Sequence, residues 1–261
     1  MKTIWIPVDF SDTSVNAAEY AVQLFTGIYG VNLTLFHMYE KPEHREPTAS
    51  ALLSLKKRLA DLGIVKMDTL AEPGTDLDSC FARATADQAP DLVVMGITGR
   101  DKVEQALIGS NTLKLVQHKQ CPVLIVPPGA RYEPVKHIAF ATDFSQLPSE
   151  PVAGFLKTLL SSFFAKLHIV HANPESEATL SGSQQQVRAG LEEIFNGFER
   201  EFHFIPLSDI SEALELLLSE HRVDLIATIP GEHTWLSTLL TGTHTRKLAY
   251  RSRLPLLALP G

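Results

Sequence analysis

Short apolar runs alternate with longer stretches of helical periodicity along the chain. Ile4 to Val8 is an apolar run that closes on Asp9-Phe10-Ser11, which predicts a buried strand ending in a polar turn. Ala17, Ala18, Ala21, Val22, Leu24 and Phe25 then supply one apolar face. A helix is therefore expected to run to about Tyr29, capped by Ser11 or Thr13 and stopped by Gly30. Strands are predicted over Asn32–Met38, Ile64–Leu70, Asp91–Gly96 and Pro122–Val126, with helices over Ala49–Leu62, Leu77–Gln88 and from Gly109-Ser110 to Lys119. Lys41 to Thr48 reads as a surface loop and Pro73-Gly74 as a turn. Strands that alternate with helices in this way pair in parallel through crossover helices.

The pattern breaks at Pro127-Pro128-Gly129-Ala130-Arg131-Tyr132-Glu133-Pro134, a linker, and then restarts. Asp9-Phe10-Ser11 matches Asp143-Phe144-Ser145 at a shift of 134, and Leu33 to His37 matches Leu167 to His171 at the same shift. Asp91-Leu92-Val93 matches Asp224-Leu225-Ile226 at a shift of 133, as do Gly109-Ser110 with Gly242-Thr243, Lys114 with Lys247, and Pro122 with Pro255. A repeat that holds phase at strand ends predicts two copies of one domain, over residues 1–128 and 135–261.

Composition narrows the class. Hydrophobic residues make up 44% and charged residues 20% of the 261-residue chain, as in ordinary globular domains. A net charge of −7 argues against a general nucleic-acid or anionic-membrane binder. No apolar run approaches the roughly 20 residues a membrane helix requires. The N-terminus, Met1-Lys2-Thr3-Ile4, enters a strand at once and carries no secretory signal pattern, so a cytoplasmic location is expected. Cys80 and Cys121 form no C-x-x-C pair and are expected to be reduced and buried.

The stretch after the fourth strand carries the chemistry. Gly96 and Gly99, then Gly109-Ser110 at a helix start, give the spacing Gly-x2-Gly-x9-Gly-Ser. Glycine admits close backbone approach, and a helix N-terminus offers unpaired N–H groups and partial positive charge to an anion. With Pro7-Val8-Asp9 ending the first strand and His37-Met38 the second, this stretch resembles the universal stress protein family, UspA-like, as a tandem pair. The resemblance implies two five-stranded parallel sheets in the order 3-2-1-4-5, α/β/α-layered and of the adenine nucleotide alpha hydrolase type. It also implies ATP, with Mg2+, at the switch point between strands 1 and 4. Carried over, Pro7, Val8 and Asp9 line the adenine and ribose side, Asp9 accepting ribose hydroxyls. Met38 packs on the base, and Met95 and Gly96 form the floor. Gly99, Gly109, Ser110, Asn111 and Thr112 surround the phosphates, with Arg100 and Lys102 adding charge.

The second copy breaks this cradle. Ile229 stands at the position of Gly96 and Glu232 at that of Gly99, while Asp143 and Gly242-Thr243 remain. A bulky side chain and a carboxylate there oppose phosphate binding. His37 and His171 recur at matching strand ends, which favours a structural role, whereas His44, His118, His203, His221 and His233 read as surface residues. No histidine grouping of H-x-x-x-H type is present, so no metal site is expected. Neither is a P-loop or a Gly-x-Ser-x-Gly elbow. A general base near the phosphates would have to be Asp101 or Glu104, so slow hydrolysis or autophosphorylation is the most that is expected. The expected protein is a regulatory ATP binder of the stress response. Its alternatives are a scaffold without nucleotide, or a binder of another small ligand through the second domain. Single-domain relatives dimerise through their last strands. Pro122–Val126 and Leu254–Leu259 are therefore expected to pair within the chain as a pseudo-dimer, with a homodimer of whole chains left open.

Overall fold

The computed structural model of the chain describes residues 1–86, 89–96, 110–118, 120–172, 180–207, 210–229 and 254–261. The chain divides into two units, Met1–Tyr132 and Glu133–Gly261, with the division inside the proline-bearing stretch.

In the first unit the strands are β1 (Thr3–Pro7), β2 (Asn32–Tyr39), β3 (Lys66–Pro73), β4 (Leu92–Gly96) and β5 (Val123–Val126). The helices between them are α1 (Asp12–Phe25), α2 (Arg45–Ala60), α3 (Leu77–Ala84) and α4 (Ser110–His118). The strand order is β3-β2-β1-β4-β5, and the neighbouring strands pair in parallel, as expected from the alternation. Ile4, Ile6, Leu33, Leu35, Val93 and Val94 are fully buried. That is why these strands read as continuous apolar runs rather than alternating ones. Trp5 stacks on Phe36 at 5.6 Å and meets Phe81 edge-on at 5.4 Å, which fastens α3 to the sheet.

The second unit repeats the order with β6 (His137–Ala141), β7 (Lys166–Ala172), β8 (Arg200–Ile205), β9 (Leu225–Thr228) and β10 (Leu256–Ala258). Its sheet runs β8-β7-β6-β9-β10. Its described helices are α5 (Glu150–Phe163), α6 (Gly182–Ile194) and α7 (Ile210–Glu220).

Three local expectations are corrected. The first helix ends at Phe25, not near Tyr29, because Gly27 and Gly30 both adopt left-handed backbone (φ 77° and 80°). Lys41 to Thr48 is not all loop: Pro42–His44 forms a 3-10 turn and α2 starts at Arg45, so Pro47 falls in the first turn, where its missing N–H costs nothing. The third strand runs on to Pro73 and begins at Lys66. Both cysteines are free and buried, as expected.

The repeated identities have repeated structural jobs. Asp91 Oδ2 accepts from the N–H groups of Lys2 and Thr3 (2.6 and 2.9 Å), and Asp224 Oδ2 from those of Lys136 and His137 (2.8 and 3.0 Å). In each unit this carboxylate satisfies the backbone where the central strand begins.

Candidate functional site

The chain leaves β1 for β2 on one side of the sheet and reaches β4 on its other side. The C-terminal ends of β1 and β4 therefore meet at a topological switch point, where open α/β sheets take ligands. Register pairs Ile4 with Leu92, Trp5 with Val93 and Pro7 with Phe36. Pro7, Val8, Asp9, Met38, Met95 and Gly96 thus gather at one end of the sheet. Pro7, Val8 and Met95 are buried, while Asp9 and Met38 are half-buried. The Thr112 hydroxyl, itself buried, donates to the Gly96 carbonyl at 3.2 Å and ties the first turn of α4 to the end of β4. Ser110 and Asn111 open that helix. Gly99, Arg100 and Gly109, with Asp101, Lys102 and Glu104, lie outside the described residues.

The corner after β1 is held by short-range polar contacts. Ser11 caps α1, its side chain accepting from the Ser14 N–H at 3.3 Å. Asp9 is not the cap. Its Oδ1 accepts from the Ser11 N–H (3.0 Å) and hydroxyl (2.5 Å), so it positions the cap. Phe10 between them has φ 61°, a left-handed backbone that costs a bulky residue on the order of 1–3 kcal/mol. His37 compensates on both sides. Its Nδ1 donates to the Val8 carbonyl at 2.5 Å, and its ring lies 4.8 Å from that of Phe10. The Val8 N–H is used as well, donating to the Phe36 carbonyl at 2.8 Å.

The second unit rebuilds this corner. Phe144 has φ 56°, and His171 Nδ1 donates to the Thr142 carbonyl at 3.1 Å while stacking on Phe144 at 4.5 Å. Asp143 Oδ1 accepts from the Ser145 N–H at 2.9 Å. The expected structural role of His37 and His171 is therefore specific: each pins the carbonyl that precedes the strained phenylalanine corner.

The two units part company at one position. A side chain on Gly96 would place its Cβ 2.7 Å from the Thr13 carbonyl oxygen and 2.9 Å from its carbon. No real Cβ tolerates that contact with backbone, so glycine here admits the first turn of α1. In the second unit Ile229 occupies the position, and the helix starts later. Asp143-Phe144-Ser145 is followed by Gln146, Leu147, Pro148 and the N-cap Ser149 before α5 begins at Glu150. Glu232, Gly242 and Thr243 lie outside the described residues.

The reading of His203 and His221 as surface residues is corrected. Both are partly buried, and with His137 and His168 they form one cluster. His168 Nε2 lies 3.1 Å from His137 Nδ1, and His168 Nδ1 lies 2.9 Å from His203 Nε2. The His221 ring sits 4.7 Å from that of His203. Burial, then the neighbouring His203 and His137, push His168 down to about 4, so it is neutral at neutral pH. His203 is also lowered, chiefly by burial. The residues are scattered in sequence, and only the i, i+2 spacing of Glu201 and His203 marks a shared strand face.

Residues 1–127 match the universal stress protein family. A universal stress protein of Methanocaldococcus jannaschii is 31% identical over 140 residues, covering 48% of this chain and 81% of the relative. One from Thermus aquaticus is 30% identical over 136 residues, covering 48% of this chain and 98% of the relative. Across the whole chain, the crystal structure of a universal stress protein from Archaeoglobus fulgidus shares the fold. Its TM-score is 0.73 at 18% identity, with 98% of this chain and 97% of that one covered. Among the described residues no helix is long and apolar enough to cross a membrane. With relatives of this identity covered over most of their length, the chain belongs to the universal stress protein family.

Proposed function

We propose that the first unit binds ATP, with Mg2+, and that the protein is a regulatory nucleotide binder of the cytoplasmic stress response rather than a fast enzyme. One observation carries this reading. Thr112 bonds to Gly96 at 3.2 Å, which joins the two ends of the Gly-x2-Gly-x9-Gly-Ser motif at the switch point. That contact supports a reading in which the N–H groups and dipole of α4 receive a phosphate. In this reading Asp9 accepts ribose hydroxyls, and Met38 packs on the base. Pro7, Val8, Met95 and Gly96 form the apolar floor, Val8 through its side chain because its backbone groups are engaged. Gly99, Gly109, Ser110 and Asn111 receive the phosphates and Arg100 adds charge. The second unit, with Ile229 at the Gly96 position and a later helix start, serves as a partner domain without this nucleotide mode.

Isothermal titration of the full chain with Mg-ATP tests the reading. Saturable binding that is lost in Gly109→Val, with the fold retained by circular dichroism, is the expected result. Absence of binding at millimolar ATP would leave the scaffold reading in its place.

A further inference from the structure

At the opposite end of the second unit's sheet from its switch point, near the N-terminal ends of β6, β7 and β8, lies a group of metal-binding type. Register pairs His137 with Lys166 and His168 with Glu201, and strand alternation adds His203 to the same face. His221, following α7, covers that face beside His203 and His168, at ring distances of 4.7 and 5.9 Å. We propose that His168, His203 and Glu201 form a binding site for a zinc-class divalent metal ion, with His137 orienting His168 from behind.

The geometry is within reach of coordination. One donor atom from each of His168, Glu201 and His203 lies within 4.8 Å of the others. Zinc–nitrogen bonds of 2.0–2.1 Å in a tetrahedral site set donor atoms about 3.3 Å apart. The pair His168 Nδ1 and His203 Nε2 stands at 2.9 Å and needs to open by a few tenths of an ångström. Glu201 Oε2, 3.9 Å from His203 Nε2, needs to close by a similar amount. A metal ion here takes the lone pairs of the two facing imidazole nitrogens, each ring keeping its one proton on its far nitrogen, so both stay neutral. His168 then carries its single proton on Nε2, and that N–H donates to His137 Nδ1 at 3.1 Å. That is the outer contact that fixes tautomer and ring orientation in metal-bound histidines.

Charge and chemistry agree. Two neutral imidazoles and a carboxylate suit zinc, copper, nickel or iron rather than calcium or magnesium. Glu199 and Glu201 flank Lys166 at 3.8 and 2.8 Å, and Glu220 acts on His203, so carboxylates outnumber the ammonium nearby. The fourth position remains for water. None of these residues belongs to the nucleotide reading, and this proposal stands without it.

Full-length protein stripped with chelator and titrated with zinc chloride tests the site. One ion per chain is expected, at micromolar affinity or tighter, with an upward shift in melting temperature. Cobalt substitution should give the visible bands of a tetrahedral site. Binding should vanish in His203→Gln and in Glu201→Gln, the latter keeping the fold because Glu201 is 43% exposed at the side chain. His137→Gln should weaken binding by about 10–100-fold. No binding at micromolar zinc, or binding that survives both ligand substitutions, overturns the proposal and leaves the imidazoles as hydrogen-bonded packing.

Discussion

Gly96 lacks a side chain because the Thr13 carbonyl takes the space: a Cβ there would lie 2.7 Å from that oxygen. Substitution forces the end of β4 away from the first turn of α1, and both are neighbours of the switch point. Gly96→Ala should therefore destabilise the first unit by about 1–3 kcal/mol, as overpacking against unyielding backbone does. A denaturant midpoint equal to the parent's would show that the helix moves at no cost.

The paired histidines make a second test. His37→Ala and His171→Ala each strip the donor from a carbonyl beside a strained corner, which should cost about 1–3 kcal/mol. The larger loss belongs to His171, only 3% exposed. Asparagine puts an N–H near the position of Nδ1, so His171→Asn should recover part of it. Equal stability of the alanine and asparagine variants, by urea unfolding, would remove the hydrogen bond from the account.

Much of the fold was legible before any coordinates. Continuous apolar strands and helical faces predicted parallel sheets, because both signals reflect burial on the two sides of a central strand, and the repeat predicted two of them. Gly96 was legible as a close-approach position, but what approaches it includes the backbone of Thr13, a contact no spacing encodes. Asp9 was legible as the ribose acceptor that the resemblance implies. The structure adds a second role, since Asp9 orients Ser11, which is the cap. The histidine cluster escaped because its members come from three strands and the residue after α7. The H-x-x-x-H pattern marks ligands at helical spacing, whereas strand ligands repeat every second residue and complete their set across the register.

Cys121 carries the pH prediction. Burial raises its thiol to about 11, so it stays protonated at pH 8 in the native protein. In a Cys80→Ser background its thiolate fraction, and with it the alkylation rate, should be on the order of 100-fold lower folded than unfolded. The native rate should go on rising with pH towards 11. A plateau near pH 9 would mean that the thiol is solvated.

Lys166 should oppose the metal site it borders. Its ammonium holds Glu201 at 2.8 Å, which raises Lys166 and lowers Glu201. Lys166→Gln frees that carboxylate and removes a positive charge, so zinc affinity should rise. A fall in affinity would make Lys166 a necessary support of the carboxylate rather than its competitor.

The central claim is that two units of one fold differ in function, the first holding a nucleotide and the second not. Native mass spectrometry of the full chain with Mg-ATP counts this directly. One ATP per chain is expected, falling to none in Gly109→Val. Two nucleotides per chain, or none at millimolar ATP, would contradict it.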